Sequence, residues 1–113
     1  MIIDAHCHIM PDSFPKRHTE LSAIDPTYAC LFPNPNPKMA TAEDLIQAMQ
    51  ETDVDRSVVM GMGWAKRKLA QEANDYIKES IVKFPDQLTG FCSVNPTWGV
   101  EAVKEMGRCA EAG

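Results

Sequence analysis

Met1-Ile2-Ile3-Asp4-Ala5-His6-Cys7-His8-Ile9 is the stretch that decides how the chain is read. It opens apolar, turns polar on alternate positions and is ended by Pro11, the pattern of a short strand. In a regular strand Asp4, His6 and His8 all point to one face. Two imidazoles at i and i+2 near a strand end can converge on one metal ion, since Zn–N bonds of about 2.0–2.1 Å bring their nitrogens to roughly 3.3 Å. Asp4, one pleat deeper, is placed to orient an imidazole as an outer-shell group. Cys7 lies between the histidines, so the same alternation sends it to the opposite face, under a helix. Sites in parallel α/β sheets lie at the carboxyl ends of strands, where this pair falls.

Residues 10–40 carry Pro11, Pro15, Pro26, Pro33, Pro35 and Pro37 and read as a long irregular loop. Phe14, Leu21, Ile24, Tyr28, Leu31 and Phe32 give it packing groups, so it is expected to be ordered and to fold over something. Thr41-Ala42-Glu43-Asp44 is a helix start with a capping side chain and early acids, and Leu45, Ile46 and Met49 follow on one face. Ser57–Met62 is a nearly continuous apolar run, expected as a strand buried on both faces. Leu69, Ala73, Ile77 and Ile81 recur every four residues in a helix over about 65–84, which Pro85 stops. Leu88–Val94 reads as a third strand. A third helix follows from about Thr97 to Gly113, with Val100, Val103 and Met106 on one face. The order β-loop-α-β-α-β-α predicts an α/β fold with parallel strands and helical crossovers.

A chain of 113 residues makes one domain, and 11 basic against 16 acidic residues leave it at −5. That balance argues against nucleic acid or an anionic membrane as partner, because such affinity comes from clustered Lys and Arg. The only basic run, Lys66-Arg67-Lys68, reads as a solvated helix face. No apolar run reaches the roughly 20 residues of a membrane span, and the N-terminus lacks a secretory signal pattern. Cys7, Cys30, Cys92 and Cys109 form no C-x-x-C pair, so reduced thiols and a cytoplasmic location are expected, with Cys92 and Cys109 as small buried residues.

Ile3-Asp4-Ala5-His6-Cys7-His8-Ile9-Met10-Pro11 resembles the opening of the amidohydrolase superfamily. The likeness is to its amidohydrolase-related branch, the amidohydrolase 2 or aminocarboxymuconate-semialdehyde decarboxylase type. It runs on through Asp53-Val54-Asp55-Arg56-Ser57-Val58-Val59, Ala73-Asn74-Asp75-Tyr76, Phe84-Pro85-Asp86-Gln87-Leu88, Gly90-Phe91 and Val94-Asn95-Pro96. The resemblance implies the N-terminal three strand–helix units of a TIM-type (β/α)8 barrel, with residues 10–40 as the loop after its first strand. It also implies a divalent metal site, commonly zinc, with His6 and His8 as ligands and the remaining ligands on later strands. The activity it implies is hydrolysis or non-oxidative decarboxylation of a small carboxylate, amide or lactone. In such enzymes the metal activates water or polarises a carbonyl and a carboxylate moves the proton.

A whole barrel of this kind takes about 250 residues. The chain is therefore expected to be part of a longer enzyme, with no complete catalytic set of its own. Two other readings are a non-catalytic binding or assembly module and a TatD-like metal-dependent nuclease. An open sheet predicts association through its exposed edge, as a homo-oligomer or otherwise. Trp64, after the second strand, and Asn95, after the third, are candidate substrate-binding residues. The alternatives are packing of Trp64 under the long loop and capping of the turn at Pro96 by Asn95. Gly61-Met62-Gly63 reads as a tight turn rather than a dinucleotide loop, and His18 lies within the long loop.

Overall fold

A computed structural model describes residues 1–113. Strand β1 (Ile3–His8) leads into three short helices, α1 (Ser13–Lys16), α2 (His18–Ile24) and α3 (Pro26–Leu31). Helix α4 (Ala42–Thr52), strand β2 (Arg56–Met60), helix α5 (Arg67–Lys83), strand β3 (Leu88–Phe91), a 3-10 turn at Pro96–Trp98 and helix α6 (Val100–Glu111) follow. The sheet order is β1-β2-β3 and both pairings are parallel, as the alternating pattern predicts.

Helix α4 starts where its cap dictates. Thr41 Oγ1 accepts from the Asp44 N–H at 3.2 Å, and the Asp44 carboxylate accepts from the Thr41 N–H at 2.9 Å. Two of the free amides at the helix start are thereby satisfied. Its far end turns through Asp53, which adopts the left-handed conformation (φ 55°). Ile46 and Met49 of α4 then join Ile9, Ala42, Val59, Ile77 and Leu88 in one core cluster between sheet and helices. Gly90 of β3 faces α5 so closely that a Cβ there would lie 2.7 Å from Ile77 Cγ2.

Four expectations are corrected. Within residues 10–40, the part from 13 to 31 is largely helical rather than irregular, because Pro15 and Pro26 fall in first turns and the other prolines lie outside the helices. Pro26 occupies the first turn of α3, and Asp25 caps it by accepting from the Tyr28 N–H at 2.9 Å. Strand β2 is not buried on both faces: Ser57 and Val59 are covered, whereas Arg56, Val58 and Met60 are half-buried on the open side. Strand β3 is shorter than expected and ends at Phe91.

The fourth correction concerns α6. Val100, Val103 and Met106 are exposed at 66%, 67% and 54%, while Ala102 and Glu105 are the buried positions. The helix carries two stripes, and the one that meets α5 holds a carboxylate held by paired donors rather than the larger apolar side chains. The valine–methionine stripe is left without a partner. β1 and β3 are each paired along one side only.

Candidate metal centre

His6 and His8 are brought together at the end of β1. Their Nε2 atoms are 3.0 Å apart and the rings meet edge to face, with centroids 4.9 Å apart. His8 Nδ1 lies 3.0 Å from the Met60 carbonyl oxygen on the neighbouring strand. A carbonyl only accepts, so Nδ1 carries the proton and the His8 Nε2 lone pair is left free. The two facing nitrogens share a hydrogen bond when His6 carries an Nε2 proton. With His6 in its other neutral tautomer, both lone pairs converge on one point. A divalent ion suits that donor set, because it can accept both lone pairs where two bare acceptors would repel. The pair would supply two ligands, against the three protein ligands usual in catalytic zinc sites.

Asp4 does not share the histidine face. Asp4 pairs with Ser57 and Cys7 with Val59, so three steps along β1 match two along β2, a β-bulge. The extra residue cancels the alternation and puts the Asp4 carboxylate beside Cys7. Its carboxyl is held below its usual value by the Cys7 thiol and the His6 backbone N–H, and it accepts the latter at 3.1 Å. Burial raises the Cys7 thiol pKa, with Asp4 adding to the rise. Asp4 thus touches His6 through the backbone and not through the ring.

A cavity of about 200 Å3 adjoins His8, lined by Met10, Phe32, Lys38, Met39, Ala40 and Met62. Its walls are mostly apolar, with Lys38 as the cation. The proline-rich segment after α3 supplies Phe32, Lys38, Met39 and Ala40, and no periodicity in the sequence marks them as wall residues.

Trp64 and Asn95 both have their contacts within the fold. Trp64 is 1% exposed and packs among Phe14, Tyr28 and Phe32 beneath α1–α3, so it supports the loop rather than lining an open pocket. Its indole N–H is buried without a partner. Asn95 has both ends of its amide engaged. Its Oδ1 accepts from the Thr97 N–H at 3.0 Å and hydroxyl at 2.7 Å, and its Nδ2 reaches the Gly63 and Trp64 carbonyls at 3.4 Å. It caps the 3-10 turn. His18 is half-buried, its Nδ1 3.3 Å from the Tyr28 hydroxyl. The loop is tied to the β2–α5 connection by fully buried Asp25, whose other oxygen accepts from the Lys66 N–H at 2.7 Å.

Sequence reasoning missed a second cluster, in which Cys92, Glu105 and Cys109 offer ligand atoms all within 4.8 Å of one another. Cys92 is exposed and Cys109 half-buried, so neither is the fully buried small residue expected. The signal available in the sequence was the i, i+4 spacing of Glu105 and Cys109 on one helix face.

No protein-family model matches the chain, and a search of curated proteins returns no match. Among solved structures the chain is similar to 5-carboxyvanillate decarboxylase from Novosphingobium aromaticivorans, solved with manganese and 4-hydroxy-3-methoxy-5-nitrobenzoic acid. The TM-score is 0.74 at 17% identity, over 97% of this chain and 38% of that one. A substituted variant of the same enzyme matches equally well. A Staphylococcus aureus protein classed as an amidohydrolase matches with a TM-score of 0.64 at 20% identity, over 97% of this chain and 33% of that one. This chain thus spans little more than a third of the length of the structures it resembles. The likeness shows its fold to be that of the first strand–helix units of a (β/α)8 barrel. No helix is long and apolar enough to cross a membrane.

Proposed function

We propose that the chain belongs to a metal-dependent hydrolase or non-oxidative decarboxylase related to the amidohydrolase superfamily, and that His6 and His8 hold its divalent ion. The observation that carries this reading is the His8 Nδ1 contact with the Met60 carbonyl, which leaves the His8 Nε2 lone pair directed at His6 Nε2, 3.0 Å away. A divalent ion bound there supplies Lewis-acid polarisation of a substrate oxygen. Zinc suits imidazole ligands, and manganese accompanies the structurally similar decarboxylase. Asp4 is a positioning residue that fixes the backbone at His6. Trp64 positions the loop, and Asn95 holds the turn after β3 against the Gly63–Trp64 backbone.

The substrate in this reading is a small carboxylate, amide or lactone. The apolar cavity beside His8 would take its body and Lys38 would attract a carboxylate. The set for turnover is incomplete in these residues, because a third protein ligand is not among them and the Asp4 carboxylate is engaged by Cys7 and the His6 backbone N–H. Catalysis would belong to a longer protein that also supplies strands beside β1 and β3. The exposed Val100, Val103 and Met106 favour the assembly reading to the same extent, as a face that other structure must cover.

Manganese binding tests the proposal. The chain is titrated with Mn2+, a hard ion that thiolates do not favour, and the bound fraction is read by electron paramagnetic resonance. One ion per chain is expected, with affinity lowered at least about tenfold by His6→Ala or His8→Ala, roughly the loss of one ligand. Unchanged affinity in the double variant would refute the assignment.

A further inference from the structure

The geometry points to a second cation site, made by Cys92, Cys109 and Glu105 where β3 meets α6, which takes a zinc-class divalent ion and is separate from the histidine pair. Gly90 faces α5, and Cys92, just past the end of β3, meets the same helix, its Sγ 3.6 Å from the Asn74 amide nitrogen. On α6, Glu105 and Cys109 are four residues apart and so share the face turned toward Cys92. The three ligand atoms lie within 4.8 Å of one another. Tetrahedral zinc with bonds of about 2.3 Å to sulfur sets its ligands on the order of 3.8 Å apart, so closing the site needs movements of about 1 Å.

The surroundings hold the ligands in place. Asn74 of α5 is buried and reaches three partners with one amide nitrogen: Cys92 Sγ at 3.6 Å, the Ser93 carbonyl at 3.0 Å and Glu105 Oε1 at 2.9 Å. Its oxygen accepts from the Ser93 N–H at 3.0 Å, which fixes the chain just after Cys92. Arg108 grips the Glu105 carboxylate with two donors at 2.8 Å, and Gln71 adds a contact at 3.3 Å. Asp75 in turn accepts from Arg108 at 2.6 Å. Outer partners of this sort, which orient ligands and offset their charge, are what metal sites place around the ligating atoms.

The donor set selects the ion. Two thiolates and one carboxylate favour zinc-class ions over magnesium, calcium or manganese. Binding displaces the two thiol protons to solvent, and the Cys109 Sγ–Glu105 Oε1 line, now 3.5 Å long, becomes the edge that the ion bridges. The cleft here, lined by Asn74, Asp75, Gly90, Cys92, Arg108 and Cys109, is open to solvent, so a water completes four ligands. The site requires no residue of the histidine pair, and its ion would join β3 to α6 rather than take part in turnover.

Cobalt titration of the full chain in a thiol-free reductant tests the site. A thiolate-to-cobalt charge-transfer band in the near ultraviolet is expected to saturate at one ion per chain. Cys92→Ser and Cys109→Ser should each abolish it, while the His6→Ala/His8→Ala double variant retains it. Cys92 is exposed, so its serine variant should keep the fold, which circular dichroism checks. A measurement on the unaltered chain stands beside this one: zinc should slow alkylation of Cys92 and Cys109 at least tenfold and leave exposed Cys30 unprotected. Absence of the band, its survival in either serine variant, or its loss in the histidine variant would overturn the proposal. So would loss of two thiols to a Cys92–Cys109 disulfide in air with no cobalt band under reductant.

Discussion

The imidazole of His8 donates through Nδ1 to the Met60 carbonyl oxygen at 3.0 Å, a contact across 52 residues of sequence that couples the ends of β1 and β2. It fixes one tautomer of one histidine, and with it the direction of the lone pair that faces His6. Everything proposed about a metal at this strand end depends on that bond.

The loop over the sheet is fastened by Asp25, whose carboxylate joins the start of α3 to the start of α5. Asp25→Ala leaves the buried Tyr28 amide and the partly buried Lys66 amide without their acceptor. It is expected to cost about 2–3 kcal/mol in a denaturant titration, and limited proteolysis should then cut within residues 26–40 faster than in the unaltered chain.

Gly90 is where β3 approaches α5 most tightly. Gly90→Ala puts a methyl 2.7 Å from Ile77 Cγ2 and 3.1 Å from Ile81 Cγ2. A destabilisation of about 1–3 kcal/mol is expected. Ile77→Ala removes the clashing group, so the double variant should be less destabilised than the sum of the singles by at least about 1 kcal/mol.

Glu105 makes stability depend on pH. Its hydrogen bonds with Arg108, Asn74 and Gln71 outweigh burial and lower its pKa to about 2 from an ordinary 4.5. A depressed carboxylate pKa stabilises the fold above the unfolded value, and that contribution is lost as pH falls from about 4.5 through about 2. Arg108 is 40% exposed, so solvent screening reduces the contribution to on the order of 2 kcal/mol. Glu105→Gln should lower stability at pH 7 by that order. The gap between the two proteins should narrow toward pH 2, as thermal melts across this range would read.

The exposed stripe of α6 and the free edge of β3 favour self-association of the 113-residue chain. Sedimentation should show species larger than the monomer. Val103→Lys with Met106→Glu should shift the distribution toward monomer without changing the helical signal. A monodisperse monomer from the unaltered chain would contradict this.

Local patterns made much of the fold legible. Alternating strands and helices, the Thr41 cap and the four-residue spacing from Leu69 to Ile81 each follow from chemistry within a few residues. What was not legible needed a partner. The β1 bulge exists only relative to the register of β2, so the sequence alone put Asp4 on the histidine face. On α6 both stripes have helical spacing. Arg108, Asn74 and Gln71, the last two 31 and 34 residues before Glu105, make a buried carboxylate preferable to buried valines. Trp64 lies beneath helices that the prolines of residues 10–40 seemed to forbid, because Pro26 begins one of them. The orientation of the His8 ring depends on a carbonyl of another strand that no spacing within β1 encodes.

The most direct test of the central claim is nitrogen-15 NMR of the histidine side chains during titration with zinc, with Cys92 and Cys109 replaced by serine. His8 Nδ1 should stay protonated throughout while Nε2 of both His6 and His8 shifts together at one equivalent. Two Nε2 resonances that ignore the ion, or a His8 that carries its proton on Nε2, would contradict it.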